Sequence, residues 1–311
     1  IFLALLGAWN FTKLPIDAVP DITNVQVAIN TYAPGYTPLE VEQRITFPLE
    51  SAMAGLPDLS YTRSLSRYGL SQVTVVFKDG PDIYFARQLI SERLSSAIGV
   101  LPNSLETTLG PIASGLGEIF MFTVDAEPNA HNEDGSPITP TDLRSVHDWI
   151  IRPQLLRVPG VVEINPIGGF KKEILIAPDP VKLLAFELTY TDVLNAVENN
   201  NNNRGAGFIE HNGAQWLMRV PGQASKIDDL GNIVVSTYKS TPVRVRDVAT
   251  IGLGQEMRSG AATQNGHEVV LSTVFMLIGQ NSREVASRVA KKLEEIQSSL
   301  PPGISATAVY D

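Results

Sequence analysis

The least explained acidic side chain in the 311-residue sequence is Glu118, which stands near the start of the segment GLGEIFMFTV. Side chains of a β-strand alternate between two faces, so Glu118 is expected to share a face with Phe120, Phe122 and Val124, while the residues between them point the other way. An unpaired carboxylate is costly to bury. It should therefore lie in water at the strand end, pair with another group or bind a cation, and projection into water is the simplest of these explanations.

Histidine and methionine are the other side chains that could bind a metal or act in acid–base chemistry. The histidines are His131, His147, His211 and His267. No two have the four-residue spacing of helical metal ligands, and the HExxH motif is absent. His147 precedes Asp148 in a predicted helix, where adjacent residues do not share a face, so none of the four is expected to be a catalytic base. Met257 lies among polar neighbours in GQEMRSG, where a weak thioether ligand is the alternative to a core-filling role.

Composition and motifs argue against an enzyme and against a nucleic-acid partner. The formal net charge is -9 and the isoelectric point is about 5.0, with no basic run or face, so cations are the more natural ligands. The chain has no cysteine, which excludes disulfides, thiolate metal sites and cysteine nucleophiles. Neither GxSxG nor a P-loop motif is present, and the GLG at 115–117 lacks the later glycine of a dinucleotide site.

The elements that must position these side chains form repeats. Amphipathic helices, such as those predicted over 83–97 and 285–296, need a sheet or another helix against their apolar stripe. Each ends in a proline-containing joint that passes into a strand, and this alternation of strands and helices is typical of split βαβ, ferredoxin-like α+β folds. The joints are 55–61, 100–106, 157–163 and 300–306. The predicted strands are Val25–Thr31, Ser71–Phe77, Glu118–Val124, Ile174–Ala177, Val269–Phe275 and Ile304–Val309.

A third region interrupts the second of these units. From Arg204 to about Arg258 the sequence has no long helical period and shows short β-like runs separated by Gly and Pro. The last strand, helix and strand of the second unit return at 267–311. The sequence therefore predicts an α+β fold with two ferredoxin-like units and a β-rich insertion in the second.

The first nine residues, IFLALLGAW, form a dense apolar stretch. A membrane-spanning helix needs roughly 20 residues, so this stretch is too short to cross a bilayer alone. We interpret it as the end of a transmembrane helix, with Trp9 and Lys13 as interface anchors. A buried strand and a signal-peptide remnant are the alternatives.

Long strings in the chain closely resemble heavy-metal efflux pumps of the resistance-nodulation-division (RND) family, most of all the cobalt-zinc-cadmium type. The resemblance covers essentially all 311 residues and continues through PGVVEINPIGGF and LPPGISATAVYD. The other matching strings are KLPIDAVPDITNVQV (13–27), APGYTPLEVEQRITFPLE (33–50), RSLSRYGLSQVTVVFKDGPDIYFARQLI (63–90), GPIASGLGEIFMFTV (110–124), TPTDLRSVHDWIIRPQL (139–155) and VRVRDVATIGLGQEMRSGAATQNGHEVVLSTVFMLIGQNSREVA (243–286).

The resemblance implies a homotrimeric proton antiporter in the bacterial inner membrane, of which this chain is a periplasmic part. Its partners would be a periplasmic adaptor and an outer-membrane channel, with no nucleic acid. The implied divisions are the end of the first transmembrane helix and a linker (1–17), a first porter subdomain (18–108), a second porter subdomain (109–203 and 260–311) and a docking subdomain (204–259).

The resemblance also implies positions on a metal path, with no catalytic residue and no cofactor; zinc, cobalt or cadmium would be the transported ion. Zinc-type pumps ligate the metal with carboxylates and histidine, and copper-type pumps use methionines. By motif position Glu118 is a cleft carboxylate and Asp148 a second candidate. Met257 matches a methionine of copper-type pumps at a position where zinc-type relatives have leucine. This difference bears on which metal the pump selects. Glu187 replaces a customary glycine, so we expect the helix end there to be capped in another way.

Two other functions remain open from the sequence. A multidrug RND pump has the same fold, but it predicts a cleft rich in aromatic residues and no acid at Glu118, and the aromatic content here is 7%. A soluble α+β binding or adaptor protein is the third hypothesis, for which the apolar start is a buried strand. Further coding sequence would separate them, because a second apolar span of roughly 20 residues beyond Asp311 supports a pump.

Overall fold

The computed structural model describes residues 24–310, except 79, 81, 103–104, 114–116, 212, 221 and 257–259, together with Phe2, Gly7 and Trp9. Most of the predicted membrane segment and linker (1–17) and the candidate ligand Met257 lie outside the described residues. Within the described part, no helix has both the length and the apolar character needed to cross a membrane.

Strands and helices alternate along the chain. The first stretch has β1 (Gln26–Tyr32), α1 (Pro38–Val41), a first π-helical segment (Glu42–Thr46), α2 (Phe47–Met53), β2 (Leu59–Arg67), β3 (Leu70–Phe77), α3 (Ile83–Ala97), a 3-10 turn (Ile98–Val100) and β4 (Glu106–Leu109). Next come β5 (Glu118–Ala126), α4 (Pro140–Val146), a second π-helical segment (His147–Ile151), α5 (Arg152–Leu155) and β6 (Val161–Ile167). Then follow β7 (Lys172–Pro178), α6 (Pro180–Ala185), α7 (Tyr190–Asn200), β8 (Arg204–His211), β9 (Ala214–Val220), α8 (Ile227–Gly231), β10 (Val234–Tyr238), β11 (Thr241–Arg244), α9 (Val245–Val248), β12 (Ala249–Gln255), β13 (Ala262–Gln264), β14 (His267–Met276), α10 (Ser282–Gln297) and β15 (Ile304–Tyr310).

Two sheets have the same antiparallel strand order, which confirms the predicted repeat and the α+β class. The first sheet has the order β2-β3-β1-β4. The second has five strands in the order β13-β14-β5-β15 with β6 also pairing on β14, so that without the short β13 its order is β6-β14-β5-β15. If each repeat is read as strand, helix, strand, strand, helix, strand, the order is 2-3-1-4 in both. This is the ferredoxin-like arrangement that the alternation of strands and helices predicts.

Each repeat has a core between its sheet and its helices. In the first repeat, alternate residues of β3 face the apolar stripe of α3, so that Val73, Val75, Ala86 and Ile90 are fully buried. In the second repeat, α10 buries a four-residue stripe: Val285, Val289, Leu293 and Ile296. Both stripes are the ones that helical spacing predicts.

Capping hydrogen bonds mark the starts of the two longer helices of the second repeat. At the start of α4, the Thr139 N–H donates to the Asp142 carboxylate at 2.9 Å, and the Asp142 N–H donates back to Thr139 Oγ1 at 3.3 Å. At the start of α10, the Asn281 side chain accepts from the Glu284 N–H at 3.3 Å. These bonds satisfy N–H groups that have no partner within the helix.

The chain divides into two compact units. One consists of Ile1–Ile138, Val146–Ile167 and Val269–Asp311, and the other of Thr139–Ser145 and Gly168–Glu268. In the second unit, β7 pairs with β12 along its whole length, from Lys172 opposite Gln255 to Pro178 opposite Ala249. This unit has its own apolar cluster: Leu183, Val193, Val243, Val245, Val248 and Ala249.

The end of α6 corrects one prediction. Glu187, which stands where the resembling family tends to have glycine, itself adopts the left-handed conformation with φ of 56°. The Leu188 N–H donates to the Leu183 carbonyl at 2.9 Å, and the Glu187 N–H donates to the Leu184 carbonyl at 3.2 Å. The helix is therefore capped in the way a glycine would cap it, with a glutamate in the unfavourable backbone conformation.

Candidate functional site

Glu118 begins β5, and a β-bulge sets its orientation. Phe120 pairs with Val274 while Glu118 pairs with Phe275, so Ile119 is an extra residue in β5. Ile119 and Phe120 are both buried, whereas Glu118 is exposed. The expected alternation is therefore correct from Phe120 onward but wrong at the strand start, because a bulge shifts the side-chain period by one residue.

The glycine before Glu118 permits a close approach of two backbones. A Cβ atom on Gly117 would lie 3.2 Å from the carbonyl oxygen of Met276, at the end of β14. A side chain larger than hydrogen would push the start of β5 away from β14. Gly117 is therefore part of what places the Glu118 carboxylate at this sheet end.

Asp148 lies in the second π-helical segment and contacts the residue beside it. The His147 Nδ1 atom is 2.7 Å from Asp148 Oδ1. The expectation that these neighbours do not meet is wrong, because a π-helix has more residues per turn than an α-helix, so its successive side chains diverge by less than about 100°. The Asp148 side chain is 24% exposed and the His147 side chain is 0% exposed.

His147 connects this surface carboxylate to the sheet. Its Nε2 atom is 2.9 Å from the hydroxyl of Ser272, which is fully buried in β14. The ring also stacks on Phe122 of β5, with 6.0 Å between ring centroids and 25° between planes. A carboxylate accepts hydrogen bonds, so Nδ1–H donates to Asp148, and in the neutral imidazole Nε2 accepts from the Ser272 hydroxyl.

The sequence contains one signal for this network. His147 is four residues after Leu143 and four before Ile151, and all three are buried. A polar residue at a core position of an amphipathic helix should have a buried partner. That partner, Ser272, is 125 residues away, and only the pairing of β14 with β5 brings it under the helix.

The other histidines lie elsewhere. His131 forms an isolated bridge with Pro137 in a loop, His211 ends β8, and His267 begins β14. Among the residues that the structure describes, no three His, Asp or Glu side chains are grouped so that they could hold a metal ion. Glu118 and Asp148 both belong to the second repeat, and Met257 is outside the described part of the chain.

Comparison with known proteins supplies the family. The model of the AcrB/AcrD/AcrF family matches residues 1–311. Protein HelA of Legionella pneumophila is 60% identical over 315 residues, covering 100% of this chain and 29% of that protein. The cobalt-zinc-cadmium resistance protein CzcA of Cupriavidus metallidurans is 56% identical over 309 residues, covering 99% of this chain and 29% of that protein. The cation efflux system protein CusA of Escherichia coli K12 is 36% identical over 313 residues, with coverage of 100% and 29%.

The fold agrees with these relatives. Two crystal forms of a heavy metal efflux pump match with TM-scores of 0.86 and 0.87, at 29% sequence identity, over 100% of this chain and 30% of that one. The chain thus spans less than a third of the length of the proteins it matches. It belongs to the AcrB/AcrD/AcrF family of RND transporters and has the sequence and fold of a portion of a heavy-metal efflux pump.

Proposed function

We propose that this chain is a periplasmic portion of a proton-driven pump that exports divalent heavy-metal cations of the zinc, cobalt and cadmium type. The observation that carries the proposal is the 56% identity, along nearly the whole chain, to a protein named for resistance to cobalt, zinc and cadmium. The corresponding identity to the cation efflux protein CusA is 36%. The proposed activity is antiport of metal against protons, with no covalent chemistry.

The proposed assembly follows the same resemblance. The complete protein would be a homotrimer in the bacterial inner membrane, joined in the periplasm to an adaptor and an outer-membrane channel. Within it, 18–108 and 109–203 with 260–311 would be porter subdomains, and 204–259 the docking subdomain. The two sheets of identical strand order support the porter assignment.

Glu118 and Asp148 are the proposed ligands on the metal path within this chain. Both have solvent-accessible carboxylates, and carboxylate oxygen is a ligand that zinc accepts in proteins. A tetrahedral zinc site needs about four ligands, so the remaining ones would come from other parts of the pump. Met257 is a third proposed ligand, and its thioether would favour a softer ion.

Substitution in the full-length pump tests this path. Glu118→Gln and Asp148→Asn remove a negative charge at nearly constant volume, and each should lower zinc and cobalt resistance of cells while trimers still assemble. The matched control is Glu127→Gln, an exposed acid just beyond the other end of β5. Resistance unchanged by Glu118→Gln and Asp148→Asn, with the pump present at normal amounts, would remove both residues from the path.

A further inference from the structure

A buried hydrogen-bonded chain leads from the sheet of the second repeat to the Asp148 carboxylate. It runs from Ser272 Oγ to His147 Nε2 at 2.9 Å and from His147 Nδ1 to Asp148 Oδ1 at 2.7 Å. Both ring nitrogens of His147 are thus bonded, and the serine and the histidine are fully buried. Burying polar groups stabilises a fold less than burying apolar ones. The role of these hydrogen bonds is therefore better explained by the Asp148 carboxylate that they orient.

The π-helical segment directs that orientation. An ordinary α-helical turn would place His147 and Asp148 about 100° apart around the helix axis. The wider turn brings the carboxylate close enough to accept from the buried ring, and such single π-helical turns occur often at functional sites. Phe122 stacks on a face of the His147 ring, so the plane of the ring and both of its nitrogens are held.

The first repeat has a related arrangement on the equivalent strand. There Thr46, in the first π-helical segment, lies 2.8 Å from the hydroxyl of Ser71, which is fully buried in β3. Thr46 also contacts Ser66 at 2.8 Å, and Ser66 donates to Glu42 at 2.6 Å. In both repeats, therefore, a polar side chain of the π-helical segment is hydrogen-bonded to a buried serine of the third strand, and this pair is called the serine anchor. In the second repeat alone the polar side chain is a histidine.

We infer that His147 and Ser272 are positioning residues for the metal path: they fix the Asp148 carboxylate in the orientation in which it ligates the passing ion. The inference rests on the proposed function, because it needs Asp148 to be a ligand. Accepting a hydrogen bond from His147 through Oδ1 sets the plane in which the carboxylate presents its remaining lone pairs. Hydrogen-bond partners of ligating groups usually contribute 10-fold to 100-fold to metal affinity.

The test measures zinc transport by the full-length pump in proteoliposomes as a function of zinc concentration. His147→Leu removes both hydrogen bonds, and we expect the zinc concentration for half-maximal transport to rise about tenfold or more, with a smaller change in the maximal rate. His147→Asn keeps an N–H donor near the position of Nδ1 and should restore much of the loss. Ser272→Ala, a milder change, should act in the same direction.

Double substitution separates positioning from a general structural role. In an Asp148→Asn background, adding His147→Leu should have no further effect on the zinc dependence, because the group that it positions is already altered. Ser71→Ala is the matched control: it removes an equally buried serine anchor from the first repeat and should leave the zinc dependence unchanged.

Three results would overturn the inference. Additive effects of His147→Leu and Asp148→Asn would show that the histidine acts independently of the carboxylate, with the proposed function intact. A shift in zinc dependence by Ser71→Ala equal to that by Ser272→Ala would show a general effect of anchoring the helices. An unaffected Asp148→Asn pump, with Glu118→Gln still impaired, would remove Asp148 from the path and leave the pump assignment standing. If His147→Leu trimers do not assemble, Ser272→Ala and His147→Asn replace that variant, and the zinc dependence of each is compared alone and in the Asp148→Asn background.

Discussion

At the scale of single residues, Glu187 shows how a local backbone requirement is met by an unfavourable side chain. Its φ of 56° is in the region that L-residues with a Cβ atom avoid, at a cost of roughly 1–2 kcal/mol. The conformation persists because the hydrogen bonds at the end of α6 require it, with Leu188 N–H bonded to the Leu183 carbonyl. A glycine would satisfy the same bonds without that strain.

We therefore expect Glu187→Gly to raise the free energy of unfolding by up to about 1 kcal/mol, since relief of strain is partly offset by the greater freedom of glycine in the unfolded chain. The control is the same chemical change at Glu198, which is exposed within α7, where glycine should instead destabilise by about 0.5 kcal/mol. Chemical denaturation monitored by circular dichroism measures both. A loss of stability in Glu187→Gly would contradict this account of the helix end.

At the scale of elements, capping boxes define where several helices begin. Thr189 at the start of α7 donates its hydroxyl and its N–H to the Asp192 carboxylate, each at 2.7 Å. The Thr189 hydroxyl first, and its backbone N–H second, hold the pKa of Asp192 below its usual range. Thr37 and Glu40 form the same box at the start of α1, where the Thr37 N–H and hydroxyl lower the pKa of Glu40.

Thr189→Ala removes the larger of these two contributions, so the pKa of Asp192 should rise toward the usual value for an aspartate. A lowered pKa in the folded state contributes stability above the carboxyl's ordinary pKa, and this contribution is lost as the pH falls through the folded value. The variant should therefore lose less stability than the parent when acidified. NMR titration of the Asp192 carboxyl checks the shift, with Glu40 as the internal reference that should not move.

At the scale of the whole molecule, the two proposed ligands on described residues are too few for a complete zinc site. Glu118 and Asp148 are both in the second repeat, and the described residues contain no cluster of three acidic or histidine side chains suited to a metal. Zinc prefers about four ligands, so two carboxylates alone hold it weakly. Tight binding would require ligands from the rest of a pump more than three times as long as this chain.

The purified 311-residue chain should accordingly bind Zn²⁺ weakly, with a dissociation constant well above the micromolar range, when titrated in a calorimeter. The double variant Glu118→Gln with Asp148→Asn is the control, and it should remove most of the heat that remains. Stoichiometric binding at micromolar or lower concentration would show that this chain holds a complete site, contrary to the proposed division of ligands.

Periodic features of this protein could be predicted from the sequence because they depend on neighbours along the chain. The apolar stripe of α10 and the repeated alternation of strand and helix are features of this kind. The pairing of β7 with β12 could not be predicted in this way. Backbone hydrogen bonds between two strands that are distant in the sequence leave little trace in their residue types.

For the candidate site too, some features follow from the local sequence and others only from the tertiary structure. The sequence by itself singled out Glu118, because a charge beside aromatic and aliphatic residues breaks a local pattern, and the family resemblance added Asp148. Only the tertiary structure decided how those carboxylates are oriented. The bulge at Ile119 turns Glu118 out of the buried face, and Ser272 reaches His147 across 125 residues of sequence. Both depend on the register of β14 against β5, which is set by packing across the whole repeat.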